Sequence, residues 1–370
     1  MALTGPRPRA KSRQRSRYGC RNCKLRKLKC DERKPHCDRC ASLGVLCNFV
    51  AHTADLEPVG TGTLVVRPPV SSAVWTSDEC TSYQYLLNVK SLLSPVPDDP
   101  NMVCVNRKLL GLAFSYPFLM HASLAVAFTY DRYLDGSRDG RRSLEECYHW
   151  SQATALLNRR LAQPIVATSK DKDAIWVTAA ALAILTFSSP EARTPDEAWP
   201  SKPSSHHSDL DWLCRSSGKM ALWDFVNPLR PDSLFHVMAE TFAQINAPLP
   251  KSGIDGVPES LAAVCSLNGA TTAQSSPYFD AAHALSAIMD LPNSEVTTGQ
   301  TQLFVRCIQG PFEDLLRNRD PIALLLLYLW YRKASCVWWI GLRARVECPA
   351  ICEYLQSYHQ GSAAVHAFHP

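Results

Sequence analysis

Three stretches of the chain place mostly apolar residues at every third or fourth position, which is the spacing of one face of an α-helix. They are marked by Trp150, Ala153, Leu157 and Leu161, by Trp176, Ala180, Ala183 and Phe187, and by Leu324, Leu327, Tyr331, Ser335, Trp338 and Leu342. Loops rich in proline, serine and glycine separate such stretches, and the alternation typical of β-strands is scarce. The pattern therefore predicts an all-α domain over residues 79–370, which is long enough to enclose a hydrophobic core.

Two apolar stretches are candidates for a membrane-spanning helix. Residues 174–187 are too few, because a span needs about twenty apolar residues. Residues 322–342 are numerous enough, but Arg332 and Lys333 lie in their middle. We expect both stretches to form buried core helices and expect no membrane span.

The first fifty residues carry six cysteines in two copies of the spacing C-x2-C-x6-C, with six residues between the copies. The cysteines are Cys20, Cys23, Cys30, Cys37, Cys40 and Cys47. Two residues between cysteines let both thiolates reach one metal from a tight turn, and zinc favours such sulfur-rich tetrahedral sites. Six thiolates complete two four-sulfur shells only if two sulfurs are shared, and the repeat suggests one shared sulfur per copy. The spacing predicts two zinc ions.

Disulfide bonding and metal buffering account for the cysteines less well. A disulfide scaffold needs an oxidising compartment, and residues 1–9 contain no apolar stretch typical of a secretory signal. A metal-buffering protein would spread its cysteines through the chain, whereas this spaced set is confined to one end.

Charge is distributed unevenly along the chain. The first fifty residues hold fourteen Lys and Arg against three Asp and Glu, a formal charge of +11, whereas the whole chain carries +5 and the remainder therefore −6. A short segment of such positive density favours a nucleic-acid phosphate backbone as its partner. A nuclear-localisation patch or a solvated helix face is the weaker alternative.

The two cysteine copies differ in the residues between their second and third cysteines. The first copy has four cations there, Lys24, Arg26, Lys27 and Lys29, and the second copy has none. Helix-forming residues predict a short helix over 22–29. Leu25 and Leu28 would share its face and cover the metal core, while the cations project outward.

These cysteines, the basic run and Pro35 between the copies resemble the binuclear zinc-cluster DNA-binding domain of fungal transcription factors. The resemblance implies that Cys20 and Cys37 bridge the ions, and that a helix enters the major groove of double-stranded DNA at a short GC-rich, CGG-like site. It also implies a nuclear regulator that acts with the transcription machinery on RNA polymerase II promoters. By position, Arg26 and Lys27 match the base-contacting pair. We expect the other cations to contact phosphates; they are Lys24, Lys29, Arg21 and Arg39.

The sequence predicts two folded parts and two connecting segments. Residues 1–17 form a disordered basic arm, 18–49 a small zinc-cluster domain with two short helices, 50–78 a linker, and 79–370 an all-α regulatory domain. No apolar heptad follows the cysteines, so dimerisation and half-site spacing are left open.

The helical part also resembles, over short and mostly apolar motifs, the regulatory region of fungal sterol-uptake regulators. The motifs are Phe118–Leu124, Asp209–Trp212, Asp320–Ala323 and Trp338–Gly341. The resemblance implies an apolar pocket, and with it the alternative function of a lipid, sterol or metabolite receptor whose DNA-binding head is the output. The competing interpretation is that these aromatic and apolar residues are core residues.

The sequence favours neither an enzyme nor an RNA-binding module. It lacks the nucleophile elbow G-x-S-x-G, the zinc-protease pattern H-E-x-x-H and a phosphate-loop lysine. RNA-binding modules usually carry aromatic side chains for base stacking, and the basic head has only Tyr18 and Phe49 near its ends. We therefore predict a DNA-binding regulator without enzymatic activity.

Overall fold

The chain divides into two compact units, Met1–Ala73 and Val74–Pro370. The computed structural model describes residues 17–25, 27–41, 47–49, 100–136, 142–163, 168–190, 192–202, 207–213 and 218–359. The predicted basic arm, apart from Arg17, and the predicted linker over 50–78 lie outside these residues.

The described residues of the first unit form two short helices, α1 (Arg21–Leu25) and α2 (Asp38–Ala41). Its core consists of the six cysteines, with Phe49 packed against them. A cluster of thiols with a single aromatic neighbour buries little apolar surface, so this unit needs a metal to stabilise its fold.

The described part of the second unit consists of α-helices, short 3-10 turns and loops, and it contains no strand. Its α-helices are α3 (Pro100–Ala113), α4 (Pro117–Asp135), α5 (Leu144–Leu161), α6 (Ser169–Phe187), α7 (Trp223–Val226), α8 (Ala239–Ile245), α9 (Glu259–Val264), α10 (Phe279–Met289), α11 (Thr298–Cys307), α12 (Pro311–Arg317), α13 (Pro321–Ala334) and α14 (Trp338–Tyr358). Among the described helices, none combines the length and the apolar character needed to cross a bilayer. The predicted all-α architecture is confirmed.

The first two apolar patterns in the sequence correspond to α5 and α6. Ser143 caps α5 by accepting a hydrogen bond from the Glu146 backbone N–H at 3.0 Å. Thr168 and Asp171 form a capping box at the start of α6. Both helices pack against α4, and each buries its apolar residues in the core of the unit.

The third apolar pattern spans two helices. The chain breaks between α13 and α14, and Trp338 begins the second of them. Gly341 lies close to the break, since a Cβ there would come within 2.8 Å of the Ser335 carbonyl oxygen. The spacing of three and four residues continues across the break because both helices turn their apolar faces to the same core.

A buried ion pair joins α14 to α6. Arg343 and Glu347 pair one turn apart on α14, and the Tyr331 hydroxyl donates to Glu347 at 2.6 Å. The Arg343 Nε donates to the Phe187 carbonyl oxygen at 2.6 Å, at the carboxyl end of α6. A cation at that position also interacts favourably with the helix dipole.

Two histidines meet between α4 and α5, with 2.8 Å between the Nδ1 atoms of His121 and His149. One of these nitrogens must accept the hydrogen bond, so the contact is lost when both rings are fully protonated. Burial, and then the neighbouring His121, lower the pKa of His149 to about 4, and Glu145 opposes this shift. Phe128 stacks on His149, and Tyr148 lies edge-on to the two histidine rings.

We expect the second unit to lose stability as the pH falls from 6.5 towards 4. In this window His149 is protonated in the unfolded chain and neutral in the folded one, so acid favours the unfolded state. The change in urea midpoint between pH 7 and pH 5 should be smaller in His149→Asn than in the wild type. His236→Asn, at an exposed ring, is the control and should keep the wild-type change. An equal change in His149→Asn and the wild type would contradict the assignment.

Candidate metal centre and nucleic-acid interface

The six thiols form two groups of four. One group is Cys20, Cys23, Cys30 and Cys37, and the other is Cys20, Cys37, Cys40 and Cys47, with the ligand atoms of each group within 4.8 Å of one another. We call these groups the first and second tetrads. Cys20 and Cys37 belong to both, so six thiols provide the eight ligand positions that two tetrahedral ions need.

The sulfur separations fit zinc geometry. The Sγ atoms of Cys20 and Cys37 lie 3.7 Å apart, and those of Cys20 and Cys40 lie 3.6 Å apart. A tetrahedral site with Zn–S bonds of about 2.3 Å has sulfur–sulfur edges of about 3.8 Å. A disulfide would need about 2.05 Å, so the thiols form an open cage and no covalent bridge.

The environment of the two shared thiols favours a metal over a free thiolate. Each of the six cysteines is at most 3 % exposed. Burial raises the pKa of Cys20 and of Cys37 to about 11. Thiolates are the zinc ligands, so the ion must displace these protons and supply the positive charge that water cannot. The Cys23 and Cys40 backbone N–H groups donate to the Cys20 and Cys37 sulfurs at 3.4 Å and add partial positive charge.

Helix α1 ends earlier than the predicted 22–29. The Leu28 N–H bonds to the Cys23 carbonyl oxygen at 3.0 Å, and the Lys27 N–H bonds to the Lys24 carbonyl oxygen at 3.1 Å. Lys27 has a φ of 55°, in the left-handed region. These are the features of a Schellman motif, which stops a helix and redirects the chain. The turn brings Cys30 back to the thiol cage.

The expectation that Leu25 and Leu28 cover the metal core is wrong. They are 52 % and 48 % exposed, because the thiol cage and Phe49 make up the small core without them. Of the predicted DNA-contacting residues, Arg21, Lys24, Lys27, Lys29 and Arg39 are exposed. Arg26 lies outside the described residues.

Two side chains that sequence reasoning missed hold the short helices. The Asn48 Oδ1 accepts from the Asn22 backbone N–H at 2.8 Å, in the first turn of α1. The Asp31 Oδ2 accepts from the Asp38 backbone N–H at 3.2 Å, at the start of α2. The sequence contains a signal for both, since each cysteine copy is followed directly by Asp or Asn, residue types that cap helices.

Comparison with known proteins identifies the amino-terminal domain. Residues 18–54 match the family model described as the fungal Zn(2)-Cys(6) binuclear cluster domain. This segment holds both thiol tetrads. The amino-terminal domain therefore belongs to this family and binds two zinc ions.

The relatives are named as transcription factors or regulators. The chain is 55 % identical over 42 residues to a Zn(2)-C6 fungal-type transcription factor of Gibberella zeae, covering 11 % of this chain and 8 % of the relative. It is 31 % identical over 103 residues to the aspercryptin biosynthesis cluster-specific transcription regulator atnN of Emericella nidulans, covering 28 % and 14 %. It is 26 % identical over 217 residues to the Zn(2)-C6 fungal-type transcription factor afumD of Aspergillus fumigatus, covering 57 % and 55 %.

These alignments span from 8 % to 55 % of the relatives' lengths. No solved structure matches the chain significantly. The names of the relatives agree with the prediction of a regulator that is not an enzyme. The resemblance to sterol-uptake regulators is not confirmed.

A cleft of about 580 Å³ lies in the second unit, beside the ends of α10 and α11. Its lining includes Lys251, Asp280 and Arg306. Sites for apolar ligands are lined mainly by hydrophobic and aromatic side chains, so this cleft is a poor match for a sterol. Phe118 and Trp338, which belong to the motifs of the sterol resemblance, are buried core residues. A lipid or sterol ligand stays a prediction.

Proposed function

We propose that the protein is a nuclear transcription regulator that binds double-stranded DNA sequence-specifically through its zinc-cluster domain. The observation that carries the proposal is a thiol cage for two zinc ions with an asymmetric distribution of charge. Exposed cations lie between the second and third cysteines of the first copy, and the same interval of the second copy has none in the sequence. The relatives named as transcription factors support it. The proposed target is a short GC-rich, CGG-like site on RNA polymerase II promoters, with the transcription machinery as the further partner.

Electrostatics favour a polyanion at this domain. The first fifty residues carry a formal charge of +11. Six thiolates and two Zn²⁺ ions together add about −2, so the loaded domain keeps a strong positive charge. The remaining 320 residues are net acidic, since the whole chain carries only +5. DNA affinity is therefore assigned to the zinc-cluster domain, and regulation of its output to the helical unit.

We assign different tasks to the cations of the zinc-cluster domain. Arg26 and Lys27 are assigned to bases because they match, by position, the base-contacting pair of the family that the domain resembles. Arg and Lys donors to guanine O6 and N7 make the commonest specific contacts in the major groove. Phosphate contacts position a protein without specifying sequence. That task is assigned to Arg21, Lys24, Lys29 and Arg39, which are exposed around the thiol cage.

Lys27→Ala should flatten the preference among duplexes. Losing a base contact costs about 1–3 kcal/mol on the preferred duplex and little on others. Lys29→Ala is the matched control, because it removes one exposed lysine from the same segment. It should weaken all duplexes alike and reduce the salt dependence of binding by about one ion. Binding isotherms on preferred and scrambled duplexes at several salt concentrations measure both effects.

Equal losses for the two variants on every duplex would contradict the assigned roles. Competition between duplex DNA and single-stranded RNA at matched salt tests the partner itself. Preference for the RNA would overturn the proposal. Selection of bound duplexes from random DNA, read by sequencing, would identify the site and show whether one or two copies are needed.

A further inference from the structure

Helix α1 is too short to be stable alone. It has five residues, and isolated helices shorter than about twelve residues are marginal in water. The first N–H groups of any helix lack partners within it and need an outside acceptor. In α1 the Asn48 side chain accepts from the Asn22 N–H at 2.8 Å, and the Cys20 sulfur accepts from the Cys23 N–H at 3.4 Å. Asn22 is fully buried, so water cannot replace the contact.

Helix α2 is capped in the same way, but here a side chain of the first cysteine copy caps the helix of the second. Asp31 follows Cys30, the last cysteine of the first copy, and bonds the Asp38 N–H in the second copy. Its carboxylate also accepts from the Arg39 backbone N–H. Asn48 follows Cys47, the last cysteine of the second copy, and bonds α1 in the first copy. Each copy therefore caps the helix of the other.

This reciprocal capping connects the two predicted zinc sites. Cys23, within α1, belongs only to the first tetrad, and Cys47 belongs only to the second. Asn48 is therefore held by the second zinc site, while the helix that it caps carries a ligand of the first. Helix α1 is therefore linked to both tetrads, to the first through Cys23 and to the second through the Asn48 contact.

We propose that Asn48 is a positioning residue for DNA recognition, through which the second zinc tetrad fixes the start of α1. The inference rests on the proposed function, which assigns α1 and the turn after it to the major groove. Losing the cap lets the first turn of α1 open, so Lys24 and Lys27 no longer hold one geometry. Attraction to phosphates persists, because it needs charge more than a fixed orientation.

Asn48→Ala in the full-length chain should lower the ratio of specific to non-specific DNA affinity about five-fold. This factor corresponds to the typical cost of losing a helix cap. The Asn22 amide should exchange its hydrogen faster by a similar factor, as measured by NMR with isotope-labelled asparagine. Asn48→Asp keeps an acceptor oxygen and should restore both values. The ratio is used because the added carboxylate weakens binding to every duplex.

Asp31→Ala is the matched control, since it removes the equivalent cap at α2. It should leave exchange at Asn22 unchanged, and all variants should hold two zinc ions per chain. Unchanged Asn22 exchange in Asn48→Ala would overturn the proposal, as would an unchanged affinity ratio. Loss of zinc from Asn48→Ala but not from Asn48→Asp would still show that α1 requires an acceptor oxygen at residue 48. Loss of zinc from both Asn48 variants would overturn the proposal. A wild-type chain that binds all duplexes equally would refute the proposed function, and exchange at Asn22 would still test the cap.

Discussion

Cys37→Ser should release both zinc ions and abolish DNA binding. Cys37 belongs to both tetrads, so its loss leaves neither ion with four sulfur ligands. Structural zinc contributes about 10–16 kcal/mol to the folding of small zinc domains, which is as large as the whole stability of a typical domain. Among the described residues of the first unit, the thiols and Phe49 form the only hydrophobic cluster. Mass spectrometry of the intact chain measures zinc per molecule, and gel retardation measures binding.

Cys147→Ser is the control, because Cys147 is an exposed free thiol on α5. It should keep two zinc ions and full binding. Cys23→Ser removes a ligand of the first tetrad alone and should leave the second set of four thiols intact. One tightly held zinc ion and normal DNA affinity in Cys37→Ser would show that Cys37 is not a shared ligand.

Glu347→Ala should destabilise the second unit by about 3–5 kcal/mol, the usual cost of removing one partner from a buried ion pair. The side chains of Arg343 and Glu347 are only 5 % and 6 % exposed. Without the carboxylate, the Arg343 guanidinium is left as a buried charge, and the Tyr331 hydroxyl loses its acceptor. Urea unfolding followed by tryptophan fluorescence measures the change.

A second arginine–glutamate pair with the same spacing provides the comparison. Arg317 and Glu313 pair on α12 with side chains 29 % and 15 % exposed. Glu313→Ala should cost about 1 kcal/mol or less, because partly exposed pairs are screened by solvent. Equal costs for the two glutamates would show that burial of the α14 pair does not determine its contribution. Glu347→Ala should leave two zinc ions bound, since the thiols belong to the other unit.

The metal site was predictable from sequence because cysteine spacing directly constrains geometry. The C-x2-C pairs and the six-residue interval between copies led to two four-sulfur sites with two shared ligands, and the thiols lie in two such groups. The backbone conformation between the cysteines was predicted less well from the sequence. Helix propensity favoured a helix over 22–29, but closing the thiol cage requires a turn after Leu25. Ligand geometry therefore overrode local propensity.

In the helical unit too, the sequence predicted some features and missed others. Its periodic apolar residues predicted α5 and α6, since one helix face buries one set of side chains. The pattern from Leu324 to Leu342 could not reveal the break before Trp338, because both helices bury residues in one core. The pairing of His121 with His149 joins two helices. Such contacts depend on tertiary packing, which spacing along the chain does not encode.

The left-handed backbone at Lys27 restricts how DNA preference can change during evolution. Its φ of 55° suits Gly, Asn or Asp better than other residues, and β-branched side chains are strongly disfavoured there. A lysine keeps this conformation at a cost of about 1 kcal/mol or more. The side chains that can be tried at the proposed base-contacting position are therefore few. Descendants of this chain would acquire new target sequences more readily by substitution at a flanking exposed position, such as Leu28, than at residue 27.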